Sequence, residues 1–123
     1  MTIRPTVAVV GASRDRSKFG NISVRAHLQQ GYQVFPVNPN ADHVEGLPAF
    51  ESLRDVPVEN LDRVTVYLPP QLTLELLDEI APAEVWMNPG SADEDVRVRA
   101  DELGIEVIEA GSIVDLGVSP HSV

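Results

Sequence analysis

The 123-residue sequence contains no cysteine, so disulfide bonds, thiolate metal ligands and thiol catalysis are excluded. It has no run of 18 apolar residues and no long apolar segment at its start, so we expect a cytoplasmic protein without a membrane-spanning helix. The net charge of −10 argues against nucleic acid and anionic membrane as general partners. The length suits one domain with a substantial core.

Strand-like and helix-like patterns alternate along the chain. Continuous apolar runs predict buried strands at 6–10, 33–37, 63–68, 84–87 and 106–108. Apolar residues three and four apart predict helices at 19–30, 50–56 and 72–80. Another helix is predicted to begin with a capping box at 91–94 and to end near Leu103. Residues 41–48 are predicted as a loop and residues 109–123 as a tail rich in glycine and proline.

This alternation predicts an α/β fold, a three-layer Rossmann-like doubly wound sheet of about five parallel strands. We expect a single domain over residues 1–123, with its core at about 6–108. In such sheets ligands bind beyond the carboxyl ends of the strands, where the strand order reverses. Three turns that follow strand ends, at 11–14, 37–39 and 67–70, are therefore expected to converge.

The turn after the first strand, GASRDRSKFGN at 11–21, has features of a phosphate site. Gly11 permits a sharp turn, and the following amides and the helix N-terminus suit an anion. It departs from the dinucleotide fingerprint, because Ser13 stands where a second glycine would approach a pyrophosphate. Asn38 stands where an NAD site has a carboxylate for the ribose. A nucleotide with an extra phosphate on its ribose is therefore a better match than NAD.

The positive charge of the chain is concentrated around this turn. Residues 1–25 hold five basic residues and one acidic residue, whereas the rest of the chain holds four basic and 18 acidic residues. Three of the basic side chains, Arg14, Arg16 and Lys18, lie in the loop itself. A solvated loop and a phosphate-binding cluster both explain this pattern.

Five short motifs resemble those of the small stand-alone CoA-binding proteins of bacteria. They are GAS at 11–13, KFG at 18–20, PVNPN from Pro36, YLPP from Tyr67 and VWMNPG from Val85. These proteins are similar to the CoA-binding domain of the succinyl-CoA synthetase alpha subunit and of the ADP-forming acyl-CoA synthetases. The resemblance extends over about 6–108.

The resemblance implies that the ligand is coenzyme A or an acyl-CoA. It assigns the 3′-phospho-ADP part to Gly11, Ala12, Ser13 and Arg14, with Lys18 as a further cation for phosphate. It assigns the ribose and adenine side to Asn38 and Pro39, and the CoA chain to Tyr67, Leu68 and Pro69.

The sequence also departs from the related families. A Cys-Pro pair that often follows the last strand is replaced by EAGSI at 109–113, and the synthetases' phosphohistidine and nucleotide-grasp domains do not fit into 123 residues. The histidines, His27, His43 and His121, show no metal-ligand spacing. We therefore expect a non-catalytic sensor or carrier of CoA, without metal. The alternatives are an NAD(P)-binding redox module and an interaction subunit of a partner enzyme. The sequence is also compatible with a homodimer.

Overall fold

The computed structural model describes residues 4–80 and 83–120. In chain order its strands are β1 (Thr6–Val10), β2 (Gln33–Val37), β3 (His43–Val44), β4 (Leu47–Pro48), β5 (Arg63–Val66), β6 (Glu84–Met87) and β7 (Val107–Ile108). Five of them form one parallel sheet in the order β2-β1-β5-β6-β7, and β3 pairs with β4 in a separate antiparallel hairpin. The predicted Rossmann-like sheet of five parallel strands is thus confirmed.

Four α-helices connect or follow these strands within the described residues. They are α1 (Phe19–Gln29), α2 (Pro70–Leu76), α3 (Glu94–Glu102) and α4 (Ser112–Asp115), and short 3-10 turns lie at Leu53–Asp55 and Leu77–Glu79. None of these helices is long and apolar enough to cross a membrane. Helix α4 lies in the segment that was predicted from the sequence to be a tail without a helix.

Helix α3 begins later than the capping box predicted. Its N-cap is Asp93, whose carboxylate accepts a hydrogen bond from the Val96 amide at 3.0 Å. Ser91 instead donates its hydroxyl to the Val66 carbonyl oxygen at 3.0 Å. Asp93 is the N-cap because aspartate is as favourable at this position as serine, and because the Ser91 hydroxyl is already bonded at the end of β5.

The hairpin of β3 and β4 replaces the predicted loop. Its two turn residues, Glu45 and Gly46, both have positive φ, 50° and 78°, as a tight two-residue hairpin requires. Glutamate is an unusual residue in this backbone conformation, which explains why the sequence pattern did not predict a hairpin. Its carboxylate is held by an ion pair with Arg16 and accepts a hydrogen bond from the Asn21 amide at 3.1 Å. These contacts, that of Asn21 foremost, lower the pKa of Glu45.

The strand order reverses between β1 and β5. From β1 the chain passes to β2 on one side, and it later returns to place β5 on the other side. Val10 is in register with Val37 of β2 and with Val66 of β5, so the three strands end at the same level. The three predicted turns therefore meet at this edge of the sheet.

The two faces of the sheet are covered by different helices. On one face, α2, its following 3-10 turn and α3 bury an aliphatic core that includes Val64, Val66, Leu77 and Met87. On the other face, Val24 of α1 packs on β1, and Ile113 of α4 packs against α1. The molecule thus has the three layers expected of a doubly wound fold.

Candidate functional site: a cleft at the strand switch point

The glycine turn is fixed by backbone contacts with both neighbouring strands. Gly11 has a φ of +86°, and its amide and that of Ala12 donate to the Val37 carbonyl oxygen at 3.1 and 3.3 Å. On the other side, the Tyr67 amide donates to the Val10 carbonyl oxygen at 2.9 Å. The amides of Gly11 and Ala12 are thus already engaged. Any amide that binds an anion here must come from later in the loop or from the start of α1.

Two glycines allow three segments to approach closely at this edge. A Cβ at position 20 would collide with the carbonyl oxygen of Gly11, so the first turn of α1 reaches the glycine turn only because residue 20 has no side chain. A Cβ on Gly11 would lie 3.0 Å from the Tyr67 carbonyl oxygen. The absence of a Cβ at Gly11 and Gly20 therefore sets the width of the site.

The loop between the turn and α1 is organised by Asp15. Its carboxylate accepts hydrogen bonds from the amide and the hydroxyl of Ser17, at 3.0 and 2.7 Å, and these bonds lower the pKa of Asp15. Ser13 accepts a hydrogen bond from the Asp15 amide on its hydroxyl oxygen at 3.0 Å. The loop therefore holds its own conformation without a ligand.

The cationic cluster is divided by the hairpin. Arg16 pairs with Glu45, so its charge is partly neutralised. Arg14 and Lys18 are exposed, and neither has a carboxylate within ion-pair distance among the residues that the structure describes. Two of the three predicted cations are thus available to an external anion.

Asn38 braces the turn from the end of β2. Its side-chain amide donates to the Ala12 carbonyl oxygen at 2.8 Å, and its side-chain oxygen accepts from the Asn40 amide at 2.7 Å. Pro39 lies in a separate groove together with Leu68 and Leu72. The structure therefore engages both polar atoms of the Asn38 side chain and puts Pro39 on the far side of Leu68.

A cleft of about 310 Å³ opens where these segments meet. It brings together five of the ten predicted site residues: Gly11, Lys18, Tyr67, Leu68 and Pro69. Five further residues line it that were not assigned to the site: Phe19, Gly20, Pro89, Gly90 and Ser91. Ala12, Ser13, Arg14, Asn38 and Pro39 do not line this cleft.

The residues missed at the end of β6 had a recognisable signal. Pro89 and Gly90 follow a buried strand, and Gly90 has a φ of +92°. A turn at the carboxyl end of a strand next to the switch point lies where ligands bind in this kind of sheet. Placing it in the site required the strand order, which puts β6 beside β5.

Neither of the two described histidines, His27 and His43, lines the cleft. His27 is fully buried in α1, and burial lowers its pKa to about 4. Its Nδ1 atom lies 2.8 Å from the Ser23 carbonyl oxygen, so the neutral ring donates there. His43 is exposed on the hairpin, and His121 lies outside the described residues. Across residues 4–80 and 83–120, no group of three histidine or carboxylate side chains is arranged to hold a metal.

The strand order and the cleft at its switch point are those of a Rossmann-like ligand-binding domain. Residues 5–116 match the family model described as CoA binding domain, and the chain belongs to this family. Membership supports CoA binding in general.

Known relatives include both larger and similarly sized proteins. Acetate–CoA ligase [ADP-forming] II of Archaeoglobus fulgidus is 37% identical over 78 residues, which cover 62% of this chain and 11% of the ligase. The chain thus spans only a small part of that relative. The uncharacterized protein YneT of Bacillus subtilis is 31% identical over 106 residues, 83% of this chain and 77% of YneT.

A solved structure of similar size has the same fold. The conserved hypothetical protein Pfu-723267-001 from Pyrococcus furiosus superposes with a TM-score of 0.81 at 32% identity. The match covers 92% of this chain and 99% of that one. The same fold is therefore found in a protein of nearly the same length.

Proposed function

We propose that the protein binds coenzyme A or an acyl-CoA in the cleft and does so without catalysis, as a sensor or carrier. The observation that carries this proposal is the arrangement of the cleft at the switch point. The glycine turn and Lys18 form one side of the cleft, and Tyr67, Leu68 and Pro69 form the other. Membership of the CoA binding domain family supports the choice of ligand.

The 3′-phospho-ADP part is proposed to lie at the cationic end of the cleft. Lys18 lines the cleft, and the exposed guanidinium of Arg14 belongs to the same loop. A guanidinium binds phosphate as a fork and an ammonium as a point charge, so both serve a phosphorylated ribose. Ala12 and Ser13 shape the turn, and Asn38 supports it through the Ala12 carbonyl oxygen. Asn38 and Pro39 lie outside the cleft, and the ribose and adenine side of the ligand is proposed to extend over them beyond its rim.

The pantetheine arm is proposed to run along Tyr67, Leu68 and Pro69. Pro69 has no amide hydrogen, so this turn does not extend the β-sheet ladder and its surface stays open to a ligand. The chemistry proposed for the site is binding alone. His27, a side chain that serves as a general base elsewhere, is buried and hydrogen-bonded to Ser23 rather than exposed in the cleft.

Calorimetric titration with CoA and dephospho-CoA tests the phosphate assignment. Arg14→Ala and Lys18→Ala should each weaken CoA binding by about tenfold, the effect of losing one charge-assisted hydrogen bond, and change dephospho-CoA binding by less than about twofold. Arg99→Ala is the matched control, because it removes one positive charge from α3, where Arg99 pairs with Asp78 and Glu102. Equal losses for both ligands would refute the 3′-phosphate assignment.

Two other outcomes would replace the proposal. NADPH also carries a phosphate on its ribose, and Asn38 offers no carboxylate that would repel it. Tighter binding of NADPH than of CoA would therefore favour a redox module. Absence of heat with each of these nucleotides would favour a subunit that docks on a partner enzyme.

A further inference from the structure

A second cavity, of about 240 Å³, adjoins the cleft. The two share Phe19, Tyr67 and Pro89 as lining residues. From these shared residues the second cavity extends beneath α4, where Gly111, Ile113 and Val114 line it. We call it the tail cavity. Tyr67 and Pro89 thus connect the cleft to the tail cavity.

The apolar walls of the tail cavity include side chains that face solvent. Phe19 is 58% exposed and Val114 is 70% exposed, although apolar side chains of this size are usually buried. Exposed apolar residues that line one cavity are characteristic of a binding surface rather than of a folding core. The cavity thus offers hydrophobic area to a ligand at the far end of the cleft.

The two polar side chains in the walls, Tyr67 and Asn88, are already hydrogen-bonded within the protein. The Tyr67 hydroxyl lies 3.0 Å from the Ser112 hydroxyl. Asn88 donates its side-chain amide to Thr65 at 2.6 Å, and its side-chain oxygen accepts from the Ser112 amide at 3.0 Å. These groups have their partners in place, so the cavity favours an apolar occupant over a polar one.

We propose that the tail cavity binds the acyl group of an acyl-CoA, so that the protein prefers acyl-CoA to free CoA. This proposal rests on the proposed function, because the cleft must hold the CoA part. At about 30 Å³ for a group of water size, the cavity has room for about eight heavy atoms. The ligand class is therefore a thioester of a short or medium-length acyl chain.

A chain-length series tests the proposal on the wild-type protein. Calorimetric affinities for CoA, acetyl-CoA, hexanoyl-CoA and dodecanoyl-CoA should rise by up to about fourfold for each methylene that enters the cavity. The gain should stop near eight carbons, because the cavity is then full. Equal affinities across the series would overturn the acyl site while leaving CoA binding intact. Absence of binding for CoA and for every thioester would instead overturn the proposed function, and the acyl site with it.

Two variants of the cavity wall sharpen the test. Gly111 has a φ of −77°, and a Cβ there would meet the Val114 Cγ2 atom at an ordinary 3.7 Å, so Gly111→Leu is compatible with the backbone and fills the cavity. Val114→Asp places a charge on an exposed residue of the same wall. Both should abolish the preference for hexanoyl-CoA and leave CoA affinity within about twofold. Gly111→Leu acts by occupying the cavity, and Val114→Asp acts because a charge at the wall keeps water where the acyl chain would lie.

Val98→Asp is the matched control for the second variant. Val98 is 48% exposed on α3 and does not line the cleft or the tail cavity. It should leave both affinities unchanged. If Gly111→Leu and Val114→Asp lower the affinities for CoA and for hexanoyl-CoA by the same factor, the cavity holds part of CoA itself. That result would overturn the acyl assignment.

Discussion

The two faces of the central sheet are built from the same strands but are sealed by different chemistry. On the face covered by α2 and α3, strand β5 contributes Val64 and Val66 to an aliphatic core. On the face covered by α1 and α4, the alternate residues of β5 are Arg63 and Thr65, and both are buried. One face is therefore held by hydrophobic burial, and the other also by paired polar groups.

Arg63 shows how the polar face works. Its guanidinium lies 2.7 Å from a Glu84 oxygen and 2.8 Å from an Asp115 oxygen, and it stacks 4.8 Å from the centre of the Trp86 ring. Asp115 belongs to α4, a helix of four residues that is too short to be stable by itself. Burial therefore holds the long elements, whereas the short helix that covers the tail cavity is held by directed polar contacts in addition to the packing of Ile113.

The largest effect is expected on the aliphatic face. Leu77 is 1% exposed within the cluster beneath α2 and α3, so Leu77→Ala should lower the free energy of unfolding by about 4 kcal/mol through lost burial and a residual cavity. Urea unfolding followed by Trp86 fluorescence measures this loss. Leu72→Ala is the control, because Leu72 on α2 is 45% exposed and its truncation should cost well under about 1 kcal/mol. Similar losses for the two variants would contradict the aliphatic core.

The polar face should instead make stability depend on pH. Burial lowers the pKa of His27 from 6.5 to about 4, so between these values the unfolded chain binds a proton that the folded chain does not. The contribution of His27 to the free energy of unfolding is therefore fully present above pH 6.5. It is lost as the pH drops towards 4, by up to about 3 kcal/mol.

His27→Gln isolates this contribution from that of the carboxylates. The difference in unfolding free energy between wild type and variant should change with pH over this interval, as measured by urea unfolding at several pH values. His43→Gln makes the same substitution at an exposed position and should follow the wild-type profile. Parallel profiles for wild type and His27→Gln would show that His27 titrates alike in both states.

A smaller effect is expected where α1 meets the glycine turn. Gly20→Ala places a Cβ against the Gly11 carbonyl oxygen, and the forced shift should cost about 2 kcal/mol of stability and weaken CoA binding at the displaced cleft wall. Thermal unfolding and calorimetric titration measure the two effects. Gly111→Ala is the control, since its backbone is ordinary and its Cβ would meet only the Val114 side chain at 3.7 Å. Comparable behaviour of the two variants would mean that α1 tolerates displacement from the turn.

The sequence predicted the sheet because the apolar strand runs and the glycines at their ends are local signals. It also indicated the convergence of the three turns, since parallel strands that end together bring their following turns to one edge. Half of the predicted site residues line the cleft: Gly11, Tyr67, Leu68 and Pro69 come shortly after β1 and β5, and Lys18 is the N-cap of α1.

The rest depended on contacts between distant parts of the chain. Arg16 is withdrawn from the cationic cluster by Glu45, which lies 29 positions further along the sequence. Helix α4 has only four residues and shows no amphipathic pattern. It is fixed instead by hydrogen bonds from the Ser112 amide to Asn88 and from Arg63 to Asp115. Side-chain pairing of this kind leaves no periodic signal, so sequence patterns cannot reveal it.

The smallest expected effect tests whether polar contacts hold α4. The Ser112 hydroxyl lies 2.7 Å from the Thr65 hydroxyl and 3.0 Å from that of Tyr67. Ser112→Ala removes both contacts and a longer one to the Asn88 side-chain oxygen at 3.4 Å. Thr65 keeps its bond to Asn88 at 2.6 Å, so the loss of stability should be about 1 kcal/mol. Ser52→Ala removes an exposed hydrogen bond to Asp55 and should cost less than about 0.5 kcal/mol.

Hydrogen exchange separates a local from a global effect of Ser112→Ala. The Leu116 amide donates to the Ser112 carbonyl oxygen and reports on α4. If the polar contacts hold α4, the substitution should increase the exchange rate of this amide by a larger factor than the exchange rates of the β5 amides. Faster exchange in both regions by the same factor would indicate global destabilisation instead. Because α4 forms a wall of the tail cavity, local loosening should also weaken hexanoyl-CoA binding more than CoA binding. The variant thereby links the polar face of the sheet to the ligand that the cavity is proposed to hold.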